Sequence, residues 1–151
     1  MDVNLYLAST IKSPQASDGI IGFVIEVPIT EEESATKSQF YRVNVTKNQS
    51  QLMILNIALS HLKKMPFALS IYADFGYLES AFSQGWIEQW KTNGWKNAKN
   101  EPVGNAAMWQ EALILLNGNE ISFDHETKDK YRNWMLSEMK RMEEKNEENR
   151  E

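Results

Sequence analysis

With 151 residues, no cysteine and a formal charge of −5, the chain has the length of one domain with a single buried core, and it can form neither disulfides nor thiolate metal sites. Its overall field repels polyanions, so any nucleic-acid contact must come from a local basic patch. No apolar run approaches the roughly eighteen residues of a membrane span, and Met1-Asp2-Val3 reads as the start of a strand and not as a leader, so the expectation is a cytoplasmic protein without membrane contact.

Val3, Leu5 and Leu7 alternate with Asn4, Tyr6 and Ala8, a two-residue period that predicts a first strand ending near Ser9. Ser13-Pro14 through Asp18-Gly19 supplies a turn. Ile20 to Val27 is apolar except for Gly22 and Glu26, which predicts a largely buried second strand stopped by Pro28. Glu31-Glu32-Glu33 reads as a solvated loop, since adjacent loop acids ordinarily serve solubility and not metal binding. Phe40 to Val45 predicts a third strand that completes an antiparallel meander.

Thr46-x-x-Gln49 has the form of a capping box, and Leu52, Leu55, Leu59 and Leu62 follow at three- and four-residue intervals, so a helix is predicted from there to Pro66, with Lys63-Lys64 in its last turn. His61, alone on that helix, reads as a surface residue. Phe67 to Ala73 predicts a fourth strand with Asp74 at its carboxyl end. Two roles are open for Asp74: a site residue, because ligands of α/β sheets collect beyond the strand ends, or a cap on a helix from Phe75 to Ser83.

The segment from Trp86 to Gln110 holds four of the five tryptophans. Trp86 and Trp90 share a helical face, whereas Asn93-Gly94, Pro102 and Gly104 interrupt it, which predicts a short aromatic helix, an exposed basic loop and a restart. Lys91, Lys96 and Lys99 interleave with Trp90 and Trp95. That composition suits either a hairpin packed on its own domain or a surface that tracks a nucleic-acid backbone. Asn105 is placed to cap the next helix, Asn117-Gly118-Asn119 to end it in a left-handed turn, and Glu120 to Asp124 to form a fifth strand. A last helix is predicted from near Asp129, with Tyr131, Trp134, Met135, Met139 and Met142 on one face, dissolving into charge after Glu143. The domain thus spans 1–142, and 143–151 is expected to be a charged, disordered tail.

The spacing W-I-x-x-W-K-x-N-G-W-K-x-A-x-x-x-P-V-x-N-x-x-x-W-Q resembles the protruding handle of type-1 ribonuclease H. Thr46 through Met53 is similar to that family's T-N-N-x-x-E-L-M, and Ala73-Asp74-Phe75-Gly76-Tyr77 to its T-D-S-x-Y. The resemblance implies an α/β fold with a five-stranded mixed sheet, three strands antiparallel and the rest parallel, flanked by helices. It also implies cleavage of RNA in RNA–DNA hybrids by two magnesium ions held by four carboxylates. Of those four positions only Asp74 is an acid here. The others fall on Ala8, on Gln51 and near Asn133. The family's loop histidine has no clear counterpart, His125 belonging to the end of the fifth strand.

Three functions follow as expectations. The first is a catalytically degenerate relative that binds hybrid or double-stranded RNA weakly, through Thr46 and Asn48, which match backbone-contacting positions of the family, and through Trp86, Lys91, Lys96 and Lys99 of the handle. It would hold no metal, or one weak Mg2+ or Mn2+ at Asp74. The second is an active hybrid ribonuclease with a site rebuilt from Asp74 and Asp124, Glu126 or Asp129. The third is a scaffold for a protein partner, served by the methionine-rich last helix.

Overall fold

The computed structural model describes residues 2–62, 67–124 and 130–148, the final three through their backbone. The elements are β1 (Asp2–Ser9), β2 (Ser17–Pro28), β3 (Ser34–Val45), α1 (Lys47–Ser60), β4 (Ala68–Tyr72), α2 (Gly76–Ser83), α3 (Trp86–Thr92), α4 (Ala106–Leu116), β5 (Ile121–Asp124) and α5 (Arg132–Glu148). They build one five-stranded mixed sheet in the order β3-β2-β1-β4-β5, antiparallel among the first three strands of the chain and parallel across β1, β4 and β5. This is the architecture that the resemblance implies. Among the described residues no helix is long and apolar enough to cross a membrane.

Both sheet faces are covered, which explains why the alternation in β1 does not divide core from solvent. Val3, Leu5 and Leu7 pack with Ile21 and Phe23 and with Leu52 and Leu55 of α1, while Tyr6, on the other face, packs with Val24 and with Met135 of α5. Tyr6 is 2% exposed beneath the helix laid across that face. Gly22 matters on this face. A Cβ there would overlap the Phe40 ring, which lies over the glycine from the neighbouring strand.

The capping box forms as read: Thr46 Oγ1 accepts from Gln49 N–H at 3.1 Å, and Gln49 Oε1 accepts from Thr46 N–H at 3.0 Å. Asn117 and Gly118, at φ 48° and 76°, make the left-handed end of α4. Asn105 precedes α4, but its own left-handed backbone leaves it with no side-chain cap bond. The cap position of α2 is Phe75, which removes the capping role from Asp74. His61 is the exposed C-cap of α1, and the end expected at Lys63, Lys64 and Pro66 lies outside the described residues.

Two boundaries differ from the sequence pattern. β3 starts at Ser34, well before Phe40, because an outer strand needs only the backbone ladder to β2 and can carry polar side chains throughout. α5 starts at Arg132 and continues through the charged stretch to Glu148, since glutamate, lysine and arginine are good helix formers once a helix has been nucleated.

Candidate functional site

The β1–β4 ladder pairs Tyr6 with Tyr72, and two residues further along each chain, at the same side-chain parity, come Ala8 and Asp74. Both line a cleft of about 280 Å³ at the carboxyl ends of these strands, between the starts of α1 and α5. Gln51 lines it from α1. Three of the positions singled out in the sequence are therefore brought together. The fourth is not: Asn133 is exposed and is absent from the lining, where Arg132 and Leu136 appear instead. Arg132 and Leu136 are four apart and share a helical face, whereas Asn133 is rotated by about 100° from Arg132.

Lys12 and Lys47 complete the polar wall of the cleft. Their closeness is built in, because Lys47 N–H donates to the carbonyl of Ser13 at 2.9 Å and ties the loop after β1 to the first turn of α1. Ser50 Oγ donates to Lys47 O at 2.7 Å, so the 2.8 Å contact between Ser9 and Ser50 is donated by Ser9, whose oxygen in turn accepts from Ile11 N–H.

A two-ion site needs several carboxylates to offset the charge of cations about 3.5–4 Å apart. Here the lining offers one exposed carboxylate, Asp74, the methyl of Ala8 and the amide of Gln51, which is 2% exposed and whose Oε1 has no hydrogen-bond partner among the described residues. Facing them are two lysines and an arginine. Ala8 also packs against the buried cluster of Tyr6, Val24 and Met135, in an apolar setting. These residues do not fit a pair of magnesium ions. Asp124 pairs in register with Tyr72 and does not line the cleft, and His125, Glu126 and Asp129 lie outside the described residues. Among the described residues no group of three histidines, cysteines or acids is arranged to hold a metal.

The handle is a packed structure with a basic rim. Trp86, Trp90, Trp95 and the fully buried Trp109 form a connected chain of rings with centroids 5.6–6.2 Å apart, and Trp109 Nε1 donates to Tyr77 Oη at 2.7 Å. Trp95 at φ 63° and the bond from Val103 N–H to its carbonyl at 2.8 Å fold the loop back on itself. Asn97 Oδ1 pins the tip by accepting from the backbone of Lys99 and Glu101. Lys91, Lys96 and Lys99 are exposed, and Lys91 lies 3.4 Å from Glu88. Asn48 is exposed, while the Thr46 oxygen is engaged in the cap.

Glu26 is the functional-looking residue whose importance sequence reading missed, though as a lone acid in an apolar strand it was visible as an interruption. Buried at 2% exposure beside α5, it accepts from Asn4 Nδ2 at 3.0 Å, Tyr6 Oη at 3.3 Å and Tyr131 Oη at 2.9 Å, and it pairs with Lys130. Burial opposes its ionisation, but the bonds from Lys130, Asn4 and Tyr131 together outweigh that and hold its pKa below the ordinary glutamate value. Desolvation and the neighbouring carboxylate push Tyr6 and Tyr131 up. The cluster fixes the first turn of α5 and so sets Arg132 over the cleft.

Comparison with known proteins agrees with this fold. The chain is 37% identical over 83 residues to a ribonuclease H of Chlorobaculum parvum, covering 55% of this chain and 56% of that protein, and 38% identical over 81 residues to a ribonuclease H of Acetivibrio thermocellus, covering 54% of each. It thus spans about half the length of the curated relatives it matches. Among solved structures it superimposes on LC9-RNase H1, a type 1 RNase H with the type 2 active-site motif, with a TM-score of 0.68 and 21% identity over 89% of this chain and 69% of that one. It also superimposes on the foamy viral protease-reverse transcriptase in complex with RNA/DNA hybrid, with a TM-score of 0.62 and 14% identity over 91% of this chain and 19% of that one. The RNase H family model matches residues 7–127, a range that takes in Ala8, Gln51 and Asp74 and stops short of α5; on that match the chain belongs to the ribonuclease H family.

Proposed function

We propose that the chain is a catalytically degenerate ribonuclease H that binds RNA–DNA hybrid weakly and does not cut it. One observation carries this reading: the cleft at the ends of β1 and β4 presents Ala8, Gln51 and Arg132 beside a single acid, Asp74. Without charged ligands at the first two positions, no pair of cations is held to acidify water and stabilise a leaving oxygen. Binding is supported by the handle, whose exposed lysines line an ordered loop, and by Asn48 at the start of α1. A hybrid is read mainly through groove shape, phosphates and 2′-hydroxyls, so the interaction is weakly sequence-specific and salt-sensitive. The methionines expected to serve a protein partner are largely used internally, Met135 and Met139 each being 1% exposed, which favours the nucleic-acid reading over the scaffold.

The test is a labelled hybrid assayed for retention and cleavage. Retention without cleavage in magnesium or manganese is the expected result. Robust magnesium-dependent cleavage by the unmodified chain, abolished by Asp74→Asn, would establish the rebuilt site instead. Changing Lys91, Lys96 and Lys99 together to alanine should flatten the slope of log affinity against log salt by roughly 0.7–0.9 for each phosphate that is no longer neutralised.

A further inference from the structure

We propose that the cleft is a phosphate site in which Lys12, Lys47 and Arg132 hold a nucleic-acid backbone phosphate directly, where other members of the fold would hold it through metal ions. The inference deepens the hybrid-binding reading and rests on it for the identity of the phosphate.

Three cations and one carboxylate line the cleft, in a chain whose overall charge is −5. Among the described residues none of the three cationic side chains makes a hydrogen bond or an ion pair. Some bases elsewhere on the surface find partners, Lys91 in Glu88, Arg141 in Glu138 and Arg42 in the carbonyl of Met142, whereas Lys96 and Lys99 of the handle are exposed and share no cleft with a third cation among the described residues. Like charges held together in the absence of an anion repel one another, and here the fold enforces their proximity. The Lys47 to Ser13 bond clamps the loop that carries Lys12 against α1, and the Glu26 cluster docks the turn that carries Arg132.

The start of α1 adds to the positive field. Its first turn contains no acid, so the helix dipole and Lys47 both present positive charge on the cleft side. A cavity of about 280 Å³ has ample room for a phosphate. Lysine and arginine are the side chains that bind phosphate oxygens, arginine through a planar fork and lysine as a point charge. The unpartnered Gln51 Oε1 at the edge of the same cleft is an acceptor that suits a hydroxyl donor, such as a ribose 2′-hydroxyl beside the held phosphate.

The experiment uses the whole chain in two arms. In the first, inorganic phosphate is titrated at low ionic strength and followed by amide NMR. Saturable shifts at Lys12, Lys47 and Arg132 are expected, and they should vanish in the triple variant Lys12→Ala, Lys47→Ala, Arg132→Ala. In the second, hybrid affinity is measured in EDTA and in magnesium. It should not require magnesium, and the triple variant should weaken it about tenfold or more at low salt and lower the log–log salt slope by about 0.7–0.9, the change for one phosphate.

Phosphate shifts without hybrid binding would leave the cleft standing and overturn the hybrid-binding reading. Hybrid binding that the triple variant leaves unchanged, with no phosphate shifts in the unmodified chain, would overturn the cleft and spare that reading. Hybrid binding that needs magnesium, with ion-dependent shifts centred on Asp74, would also overturn it. The three residues are exposed, and the phosphate titration of the unmodified chain needs no variant to fold.

Discussion

Glu26 and Asp74 are carboxylates on the same sheet, and they are held in opposite ways. Glu26 is buried and met by four donors, two from β1 and two from the turn before α5. Asp74 is exposed at a strand end, and among the described residues its side chain bonds to nothing. The acid at the cleft fastens nothing among the described residues, whereas the acid that fastens α5 carries a share of the fold. An acid that fastens the fold and an acid that lines the cleft can therefore change independently, the two lying two strands apart and several residues along the sheet.

That contrast can be broken most forcefully at Glu26. Glu26→Ala leaves two tyrosine hydroxyls and an asparagine amide without their acceptor, and it should cost about 3 kcal/mol in urea unfolding, the low end for a broken buried pair because Lys130 is itself exposed. Ala8→Asp comes next. It places a charge against the buried cluster of Tyr6, Val24 and Met135 and should destabilise the chain by about 1–3 kcal/mol, even though it adds an acid to the cleft.

The pH dependence of stability sharpens the comparison further. Because the folded state lowers the pKa of Glu26, its contribution is complete above the ordinary value of 4.5 and is lost as pH falls through the folded value. The folded state raises Lys130, Tyr6 and Tyr131, so their contributions are complete below their ordinary values and are lost as pH rises through the folded ones. Thermal unfolding against pH should therefore fall off on both sides, and Glu26→Gln should flatten the acid side. Asp74→Ala should have the smallest effect, within about 0.5 kcal/mol of the parent in the same urea measurement.

Much of the fold could be read from local chemistry. The Thr46 to Gln49 box and the Asn117-Gly118 ending lie within a few residues, and the structure forms both. The handle was legible because its spacing is set by turns and aromatic packing along one continuous segment. Ala8, Gln51 and Asp74 each sit in a segment with a firm register, and the structure brings the three to one cleft. Arg132 lines the cleft and Asn133 does not because the rotation of α5 is fixed by the buried Met135 and Met139 and by the Trp134 contact with Phe40, and the turn before it is set by Glu26, more than a hundred residues earlier in the chain. No local pattern reports a bond of that sequence separation. The two cleft lysines were likewise invisible as a pair until a backbone bond joined their segments.

β3 has a consequence for behaviour in concentrated solution. It is an outer strand twelve residues long, paired only with β2, whereas the outer strand on the opposite side, β5, has four residues. A long outer strand is a template on which a second chain can add. This one is dressed against that event: Lys37, Arg42 and Asn44 are exposed along it, and Glu31, Glu32 and Glu33 stand in the hairpin before it. A charge carried into a neighbouring ladder would be costly to bury, so these side chains act as gatekeepers against edge-to-edge aggregation, and their removal would be felt first in solubility and shelf life.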